Sequence, residues 1–234
     1  MRQLWARTRL RLAALVLAVW LVLGLVGLAA PTSAALAAGF GNDLLALLTV
    51  LALALLIGLP LGALAGSGPR WIDATLAFTT EWTTAVPVVL LLAFVRPAGV
   101  TLLGGLLLLG TLRALEVGWV VRSALLRAAA LDPTWAARSL GYMPLSVFVN
   151  RRLPAAAGPT LAHLALTPLW TFLLDSVASA AGLGAATSER SLGALVVGQQ
   201  GGPAVVVVIL GSVLSLTWAL HRLGAHYGLR LAEK

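Results

Sequence analysis

A chain of 234 residues in which 60% of side chains are hydrophobic and only 10% are charged carries more apolar surface than one soluble core can hide. Its net charge of +8 comes from arginines gathered at the ends of apolar runs and in one hairpin, a membrane-protein charge bias rather than a nucleic-acid-binding surface. There is no cysteine, which excludes disulfides and thiolate metal sites.

Six apolar segments approach or reach the roughly 20 residues that a helix needs to cross about 30 Å of hydrocarbon. They cover about residues 12–29, 44–65, 78–95, 100–121, 155–177 and 204–220. The runs are continuous rather than alternating, so the expected fold class is all-α, a polytopic membrane helix bundle. The first segment has a basic start and small-residue sites that mimic a signal peptide, but its apolar run exceeds the usual signal core of about 7–15 residues, so retention is expected. The connection over 30–43 is short and rich in small residues, which leaves no room for a sizeable external domain. With six spans, Arg2, Arg7, Arg9, Arg11, Arg70, the hairpin arginines and the C-terminal Arg222, Arg230 and Lys234 fall on one side. Only Arg96 and Arg190 fall on the other, which places both termini in the cytoplasm.

In the second segment, "GLPLGALAG" sets Gly58, Gly62 and Gly66 four apart on one helix face, as close helix packing requires. Pro60 interrupts that helix. Glu81 lies near the inner end of the third segment, and Arg113 and Glu116 in the fourth are three apart and able to pair. The fifth segment carries Pro159 and Pro168, which predict a kink, together with His163, Trp170 and Asp175. Glu81, Trp170 and Asp175 are candidates to line a route through the bundle. Charged groups near helix ends also read as simply hydrated.

Between the fourth and fifth segments the pattern turns mixed. "DPTWAARSL" predicts a short amphipathic helix capped by Asp132 with Pro133 in its first turn and ended by Gly141. "YMPLSVFVNRR" follows, and Leu153-Pro154 opens the fifth segment. Such a helix, held by spans at both ends, would turn a push on the cytoplasmic side into movement of those spans. It also reads as an arginine-anchored loop lying in the headgroup layer.

No catalytic constellation is expected: the eight carboxylates are scattered, and there is neither an HExxH nor a GxxxxGK[ST] phosphate loop. No metal site is expected either. Uphill transport driven by ATP would need an ATPase on another chain.

The hairpin resembles the cytoplasmic E-A-A-x3-G-x9-I-x-L-P loop of ABC-importer permeases. Ala136, Ala137, Gly141, Leu153 and Pro154 match, while Trp135 stands for the Glu and Arg151 for the Ile. The chain further resembles the C-type permease subunit of dipeptide/oligopeptide/nickel importers. Gly58, Pro60, Gly62, Gly66, Trp71, Asp73 and Pro87 match one block of that pattern, with Glu81 for Asp. Ser179, Gly182, Leu183, Gly184, Ser191 and Gly193 match another, with Asp175 for Glu.

The resemblance covers residues from about 56 to the C-terminus. It implies a six-helix permease fold with a core over 43–234, after a tail, first helix and short outer loop over 1–42. It also implies a multi-pass subunit of a bacterial or archaeal cytoplasmic membrane that works with a second permease subunit, two ATP-hydrolysing subunits and an external solute-binding protein. ATP and magnesium would sit on the ATPase, with no cofactor on this chain. Residues 132–145 would dock the ATPase, with Asp132, Ala136, Ala137, Gly141 and Leu145 in that segment and Leu153 and Pro154 behind it. The expected cargo is a peptide or related small solute. Two alternatives stand beside this reading: a membrane scaffold that has lost transport, to which the change at Trp135 speaks, and a secondary transporter, which would be expected to place paired carboxylates or broken helices near the midplane, where this chain offers only Arg113 and Glu116.

Overall fold

The computed structural model describes residues 2–29, 35–95, 102–181, 191–198 and 202–232, which include no strand. The helices are α1 (Arg2–Ala29), α2 (Ala35–Leu53), α3 (Leu59–Ser67), α4 (Arg70–Ala85), α5 (Val88–Val95) and α6 (Leu102–Ala129). They continue as α7 (Asp132–Ser139), α8 (Pro144–Val147), α9 (Leu153–Leu164), α10 (Thr167–Ala180), α11 (Leu192–Val197) and α12 (Gly202–Ala232). Helices dominate because an apolar chain in hydrocarbon must satisfy every backbone N–H and C=O within itself.

Five helical stretches among the described residues are long and apolar enough to cross a membrane: Thr8–Ala29, Ala35–Ser67, Gly104–Ala129, Pro144–Ala180 and Gly202–Tyr227. The third predicted segment, 78–95, is divided. Val86 adopts φ −93° and ψ 118° ahead of Pro87, whose ring disfavours a helical residue before it, so the segment splits between α4 and α5. The connection expected over 30–43 also differs, because α2 is already helical from Ala35.

Prolines shape the long helices without ending them. A π-helical turn over Ala54–Gly58 joins α2 to α3 just ahead of Pro60, and a second over Phe148–Arg152 joins α8 to α9 just ahead of Pro154. Each widened turn accommodates the ring that would collide with the carbonyl four residues back. The predicted kink in the fifth segment is a break at Ala165–Leu166 between α9 and α10, with Pro159 inside α9 and Pro168 in the first turn of α10.

Constant offsets between contacting residues fix the topology. Gly58 meets Ala114, Gly62 meets Gly118 and Gly66 meets Arg122, so α3 runs parallel to α6. An ideal Cβ on Gly58 would stand 2.6 Å from the Ala114 carbonyl oxygen, and one on Gly66 3.0 Å from Leu125 Cβ. One on Gly62 would overlap the Gly118 carbonyl and stand 2.8 Å from Val121 Cβ. The smooth face lets the two backbones touch, so that van der Waals contact holds helices that the hydrophobic effect does not press together in lipid.

On the far side, Trp20 of α1 donates its indole N–H to the Ser212 carbonyl of α12 at 2.9 Å and meets Phe40 of α2 edge-on, with ring centroids 4.9 Å apart. Phe172, Leu192 and Val213 extend that core. The α6 C-terminus, the α3 C-terminus and the α7–α8 hairpin share one end of the bundle. α1 turns into α2 at the opposite end, where Asp43 and Asp175 lie, so its Arg2 end points toward the hairpin end.

Candidate functional site

The hairpin is built to hold a fixed shape. Leu131, with φ −77° and ψ 145°, precedes the first helical residue Asp132, so α7 starts one position earlier than the sequence suggests. Asp132 and Pro133 are helical in backbone, and their side chains lie outside the described residues, as does the expected Asp132 cap. Thr134 is buried and donates its hydroxyl to the Ala128 carbonyl at 2.8 Å, fastening α7 under the end of α6. Ala137 faces inward and Ala136 outward, as neighbours on a helix about 100° apart must.

Gly141 closes α7 at φ +81°. Its N–H donates to the Arg138 carbonyl at 3.0 Å, and the Tyr142 N–H donates to the Ala137 carbonyl at 3.2 Å. Together these two bonds make a Schellman closure, which needs a left-handed residue at this position and so favours glycine. A Cβ on Gly141 would meet nothing within 4 Å. Its constraint is conformational rather than steric.

Beyond the turn the chain presents apolar side chains to the outside. Leu140 is 76% exposed, Met143 77% and Leu145 73%, with Trp135 and Tyr142 also exposed. Arg138 lies over the Trp135 ring at 5.8 Å, and Arg127 and Arg151 stand exposed nearby in sequence. These exposed apolar side chains lie on a turn closed by two backbone hydrogen bonds. Leu153 is exposed and Pro154 half-buried behind it. Val147 is buried and anchors α8.

Arg152 clamps the base of the hairpin. It is 8% exposed and donates from Nη2 to the Gly66 carbonyl at 2.8 Å and the Leu125 carbonyl at 3.3 Å, at the ends of α3 and α6. Arg122 of α6 pairs through both Nε and Nη2 with the carboxylate of Asp73 in the first turn of α4 and stacks 4.5 Å from the Trp119 ring centre. That hydrogen bonding holds the Asp73 carboxyl below the usual carboxylate range. Sequence reasoning registered Arg152 and Arg122 only as positive charges.

The three route candidates occupy different surroundings. Glu81 is exposed and, among the described residues, has no ion pair or hydrogen bond. It lines a groove of about 660 Å³ with Thr80, Thr84, Glu116, Trp119 and His163. Behind this groove Arg113 binds Glu116 at 2.5 Å and the His163 carbonyl at 2.8 Å, which cross-links α6 to the α9–α10 break. Trp170 lies 5.5 Å from the Arg113 guanidinium. Asp175 is buried, not at a hydrated surface: it accepts a hydrogen bond from the Ser191 hydroxyl beside a cavity of about 30 Å³ that Asp43 also lines, room for about one water. Asp43, which accepts from the Leu192 N–H at 3.3 Å, ends the connection expected over 30–43 and was not among the site candidates read from the sequence. Glu81 and Asp175 therefore do not share one chamber within this chain. Gly182, Leu183, Gly184, Arg96 and Arg190 lie outside the described residues.

Comparison with curated proteins finds no match. A protein-family model described as "Binding-protein-dependent transport system inner membrane component" matches residues 58–223, which reach from the last residue of the first π turn through most of α12. The match takes in the glycine face, the clamped hairpin and all three route candidates. This chain, an integral membrane helix bundle, belongs to that family of ABC-importer permease subunits.

Proposed function

We propose that the chain is the membrane permease of an ABC importer of the dipeptide/oligopeptide/nickel type, carrying peptides or a related small solute, with its ATPase seated on the α7–α8 hairpin. The observation that carries this reading is the exposed cluster Leu140, Met143 and Leu145 on a Schellman-closed turn clamped to the bundle. A floppy loop would absorb an applied force, whereas one held by Thr134 and Arg152 passes it on to α3, α6 and α9.

In this reading residues 43–234 form the permease core and both termini lie in the cytoplasm of a bacterium or archaeon. A second permease subunit completes the pathway, two ATPase subunits bind ATP and magnesium, and an external binding protein delivers the solute. Asp132, Ala136, Ala137, Gly141 and Leu145 form the docking segment, with Leu153 and Pro154 at its exit. Glu81 faces the pathway, since an unpaired carboxylate on a membrane bundle sits where water or a partner reaches it. Trp170 and Asp175 hold the helices that flank it. The stripe Gly58, Gly62 and Gly66 packs α3 closely on α6 and brings their C-terminal turns within reach of one side chain.

The test is reconstitution in nanodiscs with the ATPase, second permease and binding protein encoded beside it. Leu140→Asp and Met143→Asp are expected to abolish stimulation of ATP hydrolysis by the binding protein while the chain stays folded. Full stimulation in both variants would overturn the docking assignment.

A further inference from the structure

The docking hairpin is continuous in chain with α6 on one side and α9 on the other. α3 has no such continuity, yet its last turn lies against the hairpin base. Gly66 is in that last turn, where helix carbonyls lack intrahelical donors. Pro69, three residues on, has no N–H to offer it, and the chain turns at Gly68, whose own N–H bonds the Leu64 carbonyl at 2.7 Å. Arg152 fills the gap from across the fold with its 2.8 Å bond to the Gly66 carbonyl, while the same nitrogen reaches Leu125.

Among the described residues Arg152 makes no ion pair, and Arg138 stands near enough to repel its charge. Its guanidinium also faces the C-terminal turns of two helices and the Phe148 ring at 5.8 Å. That arrangement exists only because the glycine face brings α3 and α6 close enough for one side chain to span both C-termini. Its neighbour Arg151 is exposed. From Ser67 the chain passes through Pro69 into α4, which Asp73 and Arg122 tie back to α6.

We infer that Arg152 is a positioning residue that caps α3 from outside its own helix and makes α3, and with it the α4 wall carrying Glu81, move as one body with the docking hairpin. The inference rests on the docking function proposed above. Without the cap, α6 and α9 would still follow the hairpin by covalent connection, while α3 would follow through its packing on α6 and, past Pro69, through the Asp73–Arg122 pair at the start of α4.

The absence of cysteine allows two spin labels to be placed cleanly, at Ser67 and at Asn150 on the exit side of the hairpin, both exposed. In the assembled transporter in nanodiscs, the wild-type distance distribution should be narrow and the same with and without trapped ATP. Arg152→Gln should broaden or shift it on nucleotide trapping and lower transport per ATP hydrolysed about tenfold, the scale of one hydrogen bond to a charged group. Hydrolysis itself should persist. Arg152→Lys, which keeps the charge and one donor, should fall between, and it carries the test if the Gln variant does not assemble.

Wild-type distances and an unchanged transport-to-hydrolysis ratio in these variants would overturn the inference alone. A wild-type chain that engages no ATPase would overturn the docking function and the inference with it.

Discussion

Gly141 separates shape from bulk at the turn of the α7–α8 hairpin. A Cβ there meets nothing within 4 Å, so alanine adds no clash, yet φ +81° places it in the left-handed region. That conformation costs an L-residue about 1 kcal/mol more than glycine. If the turn opens locally to relieve the strain, two bonds open with it, Gly141 N–H to Arg138 and Tyr142 N–H to Ala137. A cost of about 1 kcal/mol corresponds to as much as a fivefold loss in the population of the closed turn. Gly141→Ala should therefore raise the ATPase concentration giving half-maximal stimulated hydrolysis by up to about fivefold, with no change in maximal rate. Gly141→Asn should recover most of the loss, because asparagine tolerates the left-handed region. Titration of ATPase into nanodisc-held permease reads both. Equal impairment by Ala and Asn, or none by either, would refute the conformational reasoning.

Two further outcomes follow from the same geometry. Gly62→Ala should lower the melting temperature in detergent by a cost of about 1–3 kcal/mol, because its Cβ overlaps the Gly118 carbonyl. Gly211→Ala in α12, with nothing within 4 Å, should leave it unchanged or raised. The Asp73 carboxyl is depressed by Arg122, so its contribution is complete above the ordinary carboxylate range and is lost as pH falls through its folded value. The pair is partly exposed, so the contribution is about 1 kcal/mol at most. Thermal unfolding between neutral pH and about pH 3 should show Asp73→Asn losing less stability than the parent chain. Identical acid sensitivity would remove the pair from the account.

Local signals in the sequence reach different depths of this structure. Apolar length identifies the bundle, because spanning requires it of each helix separately. The break at Val86–Pro87 escapes that signal, since hydropathy averages over a proline that changes ψ at one residue. The spacing of Gly58, Gly62 and Gly66 marks a smooth face, but nothing in it names α6 as the helix against that face. Gly141 after a short amphipathic helix announces the turn, because a Schellman closure is made within six residues. Arg152 to Gly66 joins positions 86 apart, and Asp43 to Leu192 positions 149 apart. Such pairings depend on how the helices are arranged, and no local pattern encodes them.

The most direct measurement is the accessibility of a single cysteine at Met143, the most exposed large apolar residue of the hairpin, placed in the otherwise cysteine-free chain. A membrane-impermeant maleimide should label it in inverted vesicles but not in intact cells, and bound ATPase should protect it. Labelling from outside the cell, or labelling indifferent to the ATPase, would contradict the claim that this turn is the handle of the motor.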